Sequence, residues 1–318
     1  MGSQGRAGRR RLVRWGLWQR GVAGGAVLGL VLAGCSGSEG DPSADRASSG
    51  TTSIDGPSDS IPAAIDGRLE VDGRQRSYRL VVPSSVTTNE PVPLVLIMHG
   101  NGTDAAGIAE KTGFDAVAER EGFLAVYPEV ADEAGVWNGG YSHRADGVDD
   151  VAFLTAVVEQ VAQDYAVDPD RVFATGLSGG GMMSYRLACE SPDLVAAIAP
   201  IAATMVGDCE PAGAVSVLHV HGTEDRGIPY AGREERRFPP VREVLDAWGA
   251  AGGCDREPDE STEGLVTTTT WVACDPRIGV ELLLLEGTGH EYPRSELGAP
   301  IDGPSVVWDF FSTHPRVR

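Results

Sequence analysis

The chain of 318 residues contains few basic residues. Lys and Arg together number 26 against 46 Asp and Glu, which gives a formal net charge of −20. Because proteins that bind nucleic acid present a basic face to the phosphates, this balance argues against a nucleic-acid partner. Hydrophobic residues still make up 42% of the chain. That share is ordinary for a globular protein and excludes a mostly disordered one.

The chain begins with an apolar segment that is short for crossing a membrane. The run Gly21–Ala33 has 13 residues, whereas a membrane-spanning helix needs about 20. The first 34 residues also contain six Arg and no acidic residue. A basic segment, a short apolar run and small residues are together typical of a secretory signal peptide.

The apolar run ends in Leu32-Ala33-Gly34-Cys35, which resembles the lipobox of bacterial lipoproteins. The resemblance implies cleavage before Cys35 and attachment of lipid to its sulfur, so we predict a lipoprotein signal peptide over residues 1–34. Two alternatives stay open: a signal peptide followed by an incidental Cys, and an uncleaved anchor helix. The Arg9–Arg11 triplet is compatible with both the general and the twin-arginine export route.

The segment after Cys35 has little that could be buried. Residues 36–60 are mainly Ser, Gly, Asp, Thr and Pro, and such a composition cannot offset the entropy lost on ordering. We therefore predict a lipidated flexible tether over residues 35–62 and a folded domain over residues 63–318. The protein is expected on the outer side of the cell membrane, held by its lipid, or secreted. The sequence does not determine its oligomeric state.

Cysteine is scarce as well. Besides Cys35 there are four cysteines, at positions 189, 209, 254 and 274, and an even number in an exported protein suggests two disulfides. Local order favours Cys189–Cys209 and Cys254–Cys274, each worth about 3 kcal/mol in the chain-entropy model. A four-cysteine zinc site is the alternative, but the sequence lacks the CxxC pairs typical of one.

Apolar runs of strand length alternate with segments of helical periodicity in the rest of the chain. Predicted strands are Arg76–Val82, Leu94–Met98, Phe123–Tyr127, Arg171–Gly176, Val195–Ala202, Val215–His221 and Glu281–Leu285. Predicted helices are Ala105–Arg120, Val151–Tyr165 (with Asp149 or Asp150 as its N-cap), Met182–Cys189, Val241–Ala250 and Ser305–Ser312. This alternation predicts an α/β fold in which helices cover both faces of a mostly parallel central sheet.

Ser178 lies at the sharpest predicted turn. It stands in the pattern G-x-S-x-G, formed with Gly176 and Gly180, after a strand and before an amphipathic helix. This context is typical of a nucleophile elbow, in which glycines permit a strained and crowded turn. The alternative is a glycine-rich loop without a catalytic role.

A serine nucleophile needs a base, and the base needs an orienting acid. In hydrolases of this kind the chain order is Ser, then acid, then His, which favours Asp225 and His290, each in a loop after a predicted strand. Glu224 is the local alternative for the acid.

The other downstream histidines fit the role of base less well. His314 lies close to the C-terminus, whereas His219 and His221 lie two apart on a predicted strand and could face one side as a metal pair. No third ligand is nearby in the sequence, so we expect His221 to support the following turn and predict no metal site.

An oxyanion hole requires backbone N–H groups that point at developing negative charge. We assign one to Gly179, after the nucleophile, and the second to Asn101, in the loop after the strand Leu94–Met98. Residues in predicted loops that could contact substrate are Trp137, Asn138, Tyr141, Tyr230 and Tyr292. Ordinary loop packing is the alternative for this last group.

Four motifs in order resemble the polyhydroxybutyrate depolymerase-like and feruloyl esterase family: Leu96–Gly100, Gly176–Met182, His221–Asp225 and Gly287–Pro293. With the lipobox, the chain looks most like the LpqC-type lipoprotein esterases of actinobacteria. The resemblance covers residues 64–312. It implies an α/β-hydrolase fold, a Ser178–Asp225–His290 triad and no cofactor. The family's usual Trp after the catalytic His is Tyr292 here.

We therefore hypothesise a serine esterase that acts on feruloyl-type or short-chain hydroxyalkanoate esters, either small or polymeric. Three alternatives remain open from the sequence: a peptidase on the same fold, an acyltransferase of the cell envelope, and a non-catalytic binding lipoprotein. The presence of every triad member argues against the last.

Overall fold

A computed structural model describes residues 63–207, 209–211 and 215–316. The predicted signal peptide, Cys35 and the predicted tether lie outside the described residues, and those predictions stay open. In the described part of the chain no helix is long and apolar enough to cross a membrane.

Within these residues ten strands form one sheet. They are β1 (Ala63–Val71), β2 (Arg74–Val82), β3 (Val92–Met98), β4 (Leu124–Pro128), β5 (Val167–Leu177), β6 (Ala197–Ile201), β7 (Ser216–Gly222), β8 (Asp259–Glu263), β9 (Val266–Trp271) and β10 (Val280–Leu285). Their spatial order is β1-β2-β4-β3-β5-β6-β7-β10-β9-β8. The six strands from β4 to β10 in this order run parallel, and antiparallel pairs flank them at both edges.

Five α-helices connect the described strands and a sixth follows the last strand: α1 (Ala105–Thr112), α2 (Phe114–Glu121), α3 (Asp150–Asp164), α4 (Gly179–Glu190), α5 (Val241–Ala251) and α6 (Gly303–Thr313). Helices α3, α4 and α5 contribute to the apolar core on one face of the sheet, and α1, α2 and α6 contribute to the core on the other. The central strand β3 is buried at every position, as its continuous apolar run predicts. The predicted α/β architecture is confirmed.

One predicted helix is two helices in the structure. The segment predicted as Ala105–Arg120 divides at Gly113, whose φ of +67° ends α1 and begins α2. A methyl group added to Gly113 would overlap the Arg294 guanidinium. The Arg294 guanidinium therefore occupies the space that a side chain at position 113 would need. Because Arg294 lies far away in the chain, helical periodicity alone could not reveal this break.

Strands β1, β8 and β9 were not predicted from the sequence. All five residues of β8 are exposed, and its sequence is Asp-Glu-Ser-Thr-Glu. An edge strand without an apolar face carries no period-2 hydrophobic signal, and its charges are typical of an edge that must not pair with another chain.

Two disulfides join the cysteines in the pairing favoured by local order. Cys189, in the last turn of α4, is bonded to Cys209 in the loop after β6. Cys254, just after α5, is bonded to Cys274, just after β9. The first bond therefore ties the helix that follows Ser178 to the neighbouring strand-end loop.

Replacing both cysteines of either disulfide with Ser should destabilise the domain by about 3 kcal/mol, because each bond closes a loop of similar length in the unfolded chain. The separation is 20 residues in both cases, so the two double variants should lose similar stability. Urea unfolding of the three proteins measures this, and reduction of wild type without any change in the unfolding midpoint would contradict it.

Candidate active site

Ser178 follows β5 in a sharp, strained turn. Its φ of 55° and ψ of −116° lie in a region that residues other than glycine rarely adopt. The turn is held because the Ser178 amide donates to the Ile201 carbonyl at 2.9 Å, while the Ser178 carbonyl accepts from the Met182 amide at 2.9 Å. Helix α4 begins directly at Gly179, three residues before the predicted start at Met182.

The flanking glycines are required by the close approach of β3 to this turn. A methyl group added to Gly176 would lie 2.6 Å from the Met98 carbonyl oxygen, and one added to Gly180 would overlap the same oxygen. Because this oxygen belongs to backbone, it could not move aside without displacing the strand. The G-x-S-x-G pattern thus has a steric reason in the packing of β3 against the turn.

Three strand ends bring Ser178, Asp225 and His290 together. Ser178 follows β5, Asp225 follows β7 and His290 follows β10. His290 Nε2 lies 2.9 Å from Ser178 Oγ, and His290 Nδ1 lies 2.8 Å from Asp225 Oδ2. The structure therefore places the three residues in the hydrogen-bond order that a serine hydrolase uses.

The Asp225 carboxylate is buried and fully engaged. Its Oδ1 accepts hydrogen bonds at 2.8 Å from the amides of Gly227 and Ile228. Burial alone would raise the pKa of Asp225, but the hydrogen bonds from His290 and Ile228 outweigh it, and the net pKa lies below its ordinary value. The group is thus charged at neutral pH. Glu224, the alternative acid, has an exposed side chain.

A chain of buried hydrogen bonds stands behind this acid. Tyr185 Oη lies 2.8 Å from His219 Nδ1, His219 Nε2 lies 3.0 Å from His221 Nδ1, and His221 Nε2 lies 2.8 Å from the Ile228 carbonyl oxygen. Because a carbonyl only accepts, His221 donates from Nε2 and accepts at Nδ1, which sets the direction of the whole chain.

Burial lowers the pKa of both histidines, so this chain is neutral at pH 7. All four ring nitrogens of His219 and His221 take part in these hydrogen bonds, which uses the positions that a metal would need. His221 instead donates a hydrogen bond to the Ile228 carbonyl, and the Ile228 backbone N–H donates to the Asp225 carboxylate. This agrees with the expected role of His221 in supporting the turn.

The loop after β3 lies against the start of α4. A methyl group added to Gly179 would lie 2.9 Å from Asn101 Oδ1, so the two residues assigned to the oxyanion hole are neighbours. The start of the loop is held by one hydrogen bond, in which the His99 carbonyl accepts from Trp137 Nε1 at 2.9 Å. His99 Nε2 lies 3.3 Å from Glu129 Oε2 without forming a hydrogen bond.

Two of the predicted substrate contacts are core residues in the structure. Trp137 is fully buried and supports the His99 carbonyl, while Tyr292 is 3% exposed and packs edge-on against Phe114. The Asn138 side-chain Nδ2 donates a hydrogen bond to the Val148 carbonyl at 2.8 Å. Aromatic residues in loops fit either a pocket or a core, and only the tertiary packing distinguishes the two.

The other two predicted contacts, Tyr141 and Tyr230, are half-buried. Tyr230 lies beside the ring of His221, at a centroid distance of 5.9 Å. The Tyr141 hydroxyl donates to Asn101 Oδ1 at 2.8 Å. Both therefore lie close to groups of the candidate site.

A groove that sequence reasoning did not anticipate lies behind Phe238. It has a volume of about 700 Å³ and is lined by Met205, Gly207, Ala231–Glu234, Arg237–Pro240, Glu243, Val244 and Ala247. Phe238 packs in one apolar cluster with Met182 and Ile228. These two residues follow Ser178 and Asp225 closely in the chain, so the cluster joins Phe238 of the groove to the segments after both site residues.

A mostly parallel sheet with helices on both faces, carrying a strand-turn-helix nucleophile elbow, defines an α/β-hydrolase. The solved acetyl xylan esterase from Aspergillus awamori shares this fold, with a TM-score of 0.60 at 17% identity over 78% of this chain and 99% of that one. The chain belongs to the esterase family described as Esterase PHB depolymerase, whose model matches residues 76–235. It is an ester hydrolase by family.

Individual relatives agree with this membership. NocK of Nocardia uniformis subsp. tsuyamanensis, which is named as an esterase, is 31% identical over 250 residues, or 70% of this chain and 72% of its own length. Feruloyl esterase C of Emericella nidulans is 26% identical over 261 residues, or 79% of this chain and 88% of its own. The family resemblance read from the four sequence motifs is confirmed.

The lowered pKa of Asp225 predicts how the stability depends on pH. A depressed carboxyl pKa contributes stability above the ordinary value of about 3.9, and this contribution is lost as the pH falls through the lower folded value. The free-energy difference between wild type and Asp225→Asn should therefore shrink as the pH is lowered from 5 to about 2. Urea unfolding at several pH values measures it.

The matched control for this series is Asp132→Asn, at an exposed carboxylate. It should track wild type closely at every pH. A difference between wild type and Asp225→Asn that stays constant or grows toward low pH would show that the Asp225 carboxylate is not stabilised by the fold.

Proposed function

We propose that the protein hydrolyses carboxylic esters through an acyl-enzyme on Ser178. The observation that carries this proposal is the hydrogen-bonded line from Ser178 Oγ through His290 to the buried Asp225 carboxylate. A serine hydroxyl is a weak nucleophile on its own, and an imidazole within hydrogen-bond reach supplies the base that activates it. Membership of an esterase family supports the same chemistry.

In the first half of the reaction His290 Nε2 takes the proton of Ser178 as Oγ bonds to the ester carbonyl carbon. The charged Asp225 stabilises the imidazolium that forms. The tetrahedral intermediate then collapses, its C–O bond breaks, and the alcohol leaves with the proton from His290. In the second half water gives a proton to His290 and attacks the acyl-enzyme, which releases the acid and restores Ser178.

Negative charge develops on the carbonyl oxygen in both halves. We propose that two backbone N–H groups donate to this oxygen: that of Gly179, in the first turn of α4, and that of Asn101. Their proximity supports this assignment. So does the hydrogen bond from Trp137 Nε1 to the His99 carbonyl, which anchors the start of the Asn101 loop, because an oxyanion hole is effective when its donors are fixed before the reaction.

For the substrate class we propose feruloyl-type esters or short-chain esters, hydroxyalkanoate or acetyl, small or polymeric. Relatives named as feruloyl and acetylxylan esterases support this range.

For the location we propose export and attachment at the outer side of the cell membrane through lipid on Cys35. The two disulfides support export, since such bonds persist mainly in oxidising compartments. The basic and apolar segment that precedes Cys35 supports the lipid anchor.

Hydrolysis of p-nitrophenyl acetate, p-nitrophenyl butyrate and methyl ferulate by the purified protein tests the mechanism. Ser178→Ala should lose nearly all turnover, since it removes the nucleophile. Asp225→Asn should reduce kcat by about 10⁴-fold at neutral pH, because an amide cannot hold the required imidazole tautomer. Exposed Asp132→Asn is the matched control and should keep wild-type rates.

Turnover that persists in Ser178→Ala would overturn the acyl-enzyme. Comparison of kcat/KM across the three esters separates the substrate classes: preference for methyl ferulate selects the aromatic-ester class, and preference for acetate or butyrate selects the short-chain class. Transfer of the acyl group to an added alcohol in preference to water would identify an acyltransferase instead.

A further inference from the structure

The loop over residues 137–141 crosses the first turn of α4 and is anchored at several points. The Asn138 amide donates to Asp150 Oδ2 at 2.7 Å, and the Asn138 carbonyl accepts from Arg186 Nη1 at 2.5 Å. Trp137 is fixed in the core. These bonds engage backbone and buried groups, so the loop has a defined position relative to α4.

The two glycines of this loop allow its close approach. A methyl group added to Gly139 would lie 3.1 Å from Met182 Cβ, on α4. Gly140 has a φ of +83°, and a methyl group added there would lie 2.7 Å from the Val206 carbonyl oxygen. Because Gly139 and Gly140 have no side chains, the loop can lie this close to α4 and to Val206. Tyr141, the residue after them, then lies at the N-terminal end of α4.

The Tyr141 hydroxyl lies at the proposed oxyanion hole. It donates to Asn101 Oδ1 at 2.8 Å, and a methyl group added to Gly179 would overlap it. The hydroxyl thus stands over the Cα atom of Gly179 and beside Asn101, the two residues whose amides are the proposed donors.

The chemistry of this hydroxyl suits a donor. Burial raises the pKa of Tyr141 well above its ordinary value, so the O–H proton is kept across the pH range of ester hydrolysis. A phenol has one proton to donate and can turn it about the C–O bond. Its present acceptor is a neutral amide oxygen, whereas an oxyanion is a stronger acceptor because it carries charge.

We propose that Tyr141 is a third oxyanion-hole donor, whose hydroxyl turns from Asn101 Oδ1 to the carbonyl oxygen of the ester as negative charge develops there. This inference rests on the proposed acyl-enzyme at Ser178. It makes Tyr141 a catalytic residue that contacts the reacting atoms, and not a general wall of the substrate pocket.

Tyr141→Phe removes the hydroxyl and keeps the ring that packs on Gly139. A donor that acts only in the transition state contributes to kcat and not to KM. Loss of one such donor from an oxyanion hole costs on the order of 10²-fold in kcat. For p-nitrophenyl butyrate we therefore expect kcat to fall between about 10-fold and 100-fold, while KM stays within about twofold.

Inhibition by a trifluoromethyl ketone supplies a second readout, because its adduct with Ser178 carries an oxyanion. The inhibition constant should rise in Tyr141→Phe by the same factor as kcat falls. Tyr165→Phe, at the half-buried C-terminal end of α3, is the matched control and should behave as wild type in every assay.

Asn101→Ala distinguishes donation from positioning, because it removes the side-chain oxygen and keeps the backbone amide. If Tyr141 donates directly, kcat of Tyr141→Phe should lie at least about tenfold below that of Asn101→Ala. If Tyr141 only holds Asn101, both single variants and the double variant should lose the same factor, which would overturn the proposal.

Wild-type kcat and wild-type ketone inhibition in Tyr141→Phe would overturn it as well. A thermal unfolding midpoint close to wild type should accompany the expected losses, since the aromatic ring is retained. Failure of the underlying mechanism is recognised separately: it appears as turnover that survives in Ser178→Ala, whereas failure of the Tyr141 role appears in a protein that still requires Ser178.

Discussion

The steric contact between the turn at Ser178 and strand β3 is the constraint on which the site depends. Gly176 and Gly180 lie so close to the Met98 carbonyl that neither tolerates a side chain. This contact keeps the turn sharp, leaves Ser178 with a positive φ, and starts α4 at the next residue. Parallel pairing of β5 with β3 and β6 holds the strain, since both neighbours are buried in the sheet.

The residues next to this turn combine one buried charge with a neutral hydrogen-bond chain. The acid is buried but charged, because two amides and the imidazole satisfy its oxygens. Behind it the buried chain of Tyr185, His219 and His221 is neutral and has one direction, set by the carbonyl of Ile228. A charged carboxylate beside neutral, fully bonded histidines avoids the cost of an unpaired buried charge. The imidazole of His290 joins the charged carboxylate to the Ser178 hydroxyl, as the proposed mechanism requires.

Two loops from distant parts of the chain meet over the start of α4. The loop after β3 brings Asn101, and the glycine-containing loop brings Tyr141, whose hydroxyl joins the two. The disulfide Cys189–Cys209 ties the far end of the same helix to the loop after β6. The helix that follows Ser178 is thus restrained at both ends, which agrees with the proposal that the oxyanion-hole donors have fixed positions.

Local patterns in the sequence by themselves determined the alternation of strands and helices, the nucleophile elbow, and the order of Ser178, Asp225 and His290. These features depend on hydrophobic period and on residues that must follow strand ends, so neighbours in the chain carry the signal. Only the tertiary structure decided the break at Gly113, the exposed strand β8, the burial of Trp137 and Tyr292, and the position of Tyr141 over Gly179. Each of these is set by atoms far away in the chain, such as the Arg294 guanidinium at Gly113, and no local pattern records such a contact.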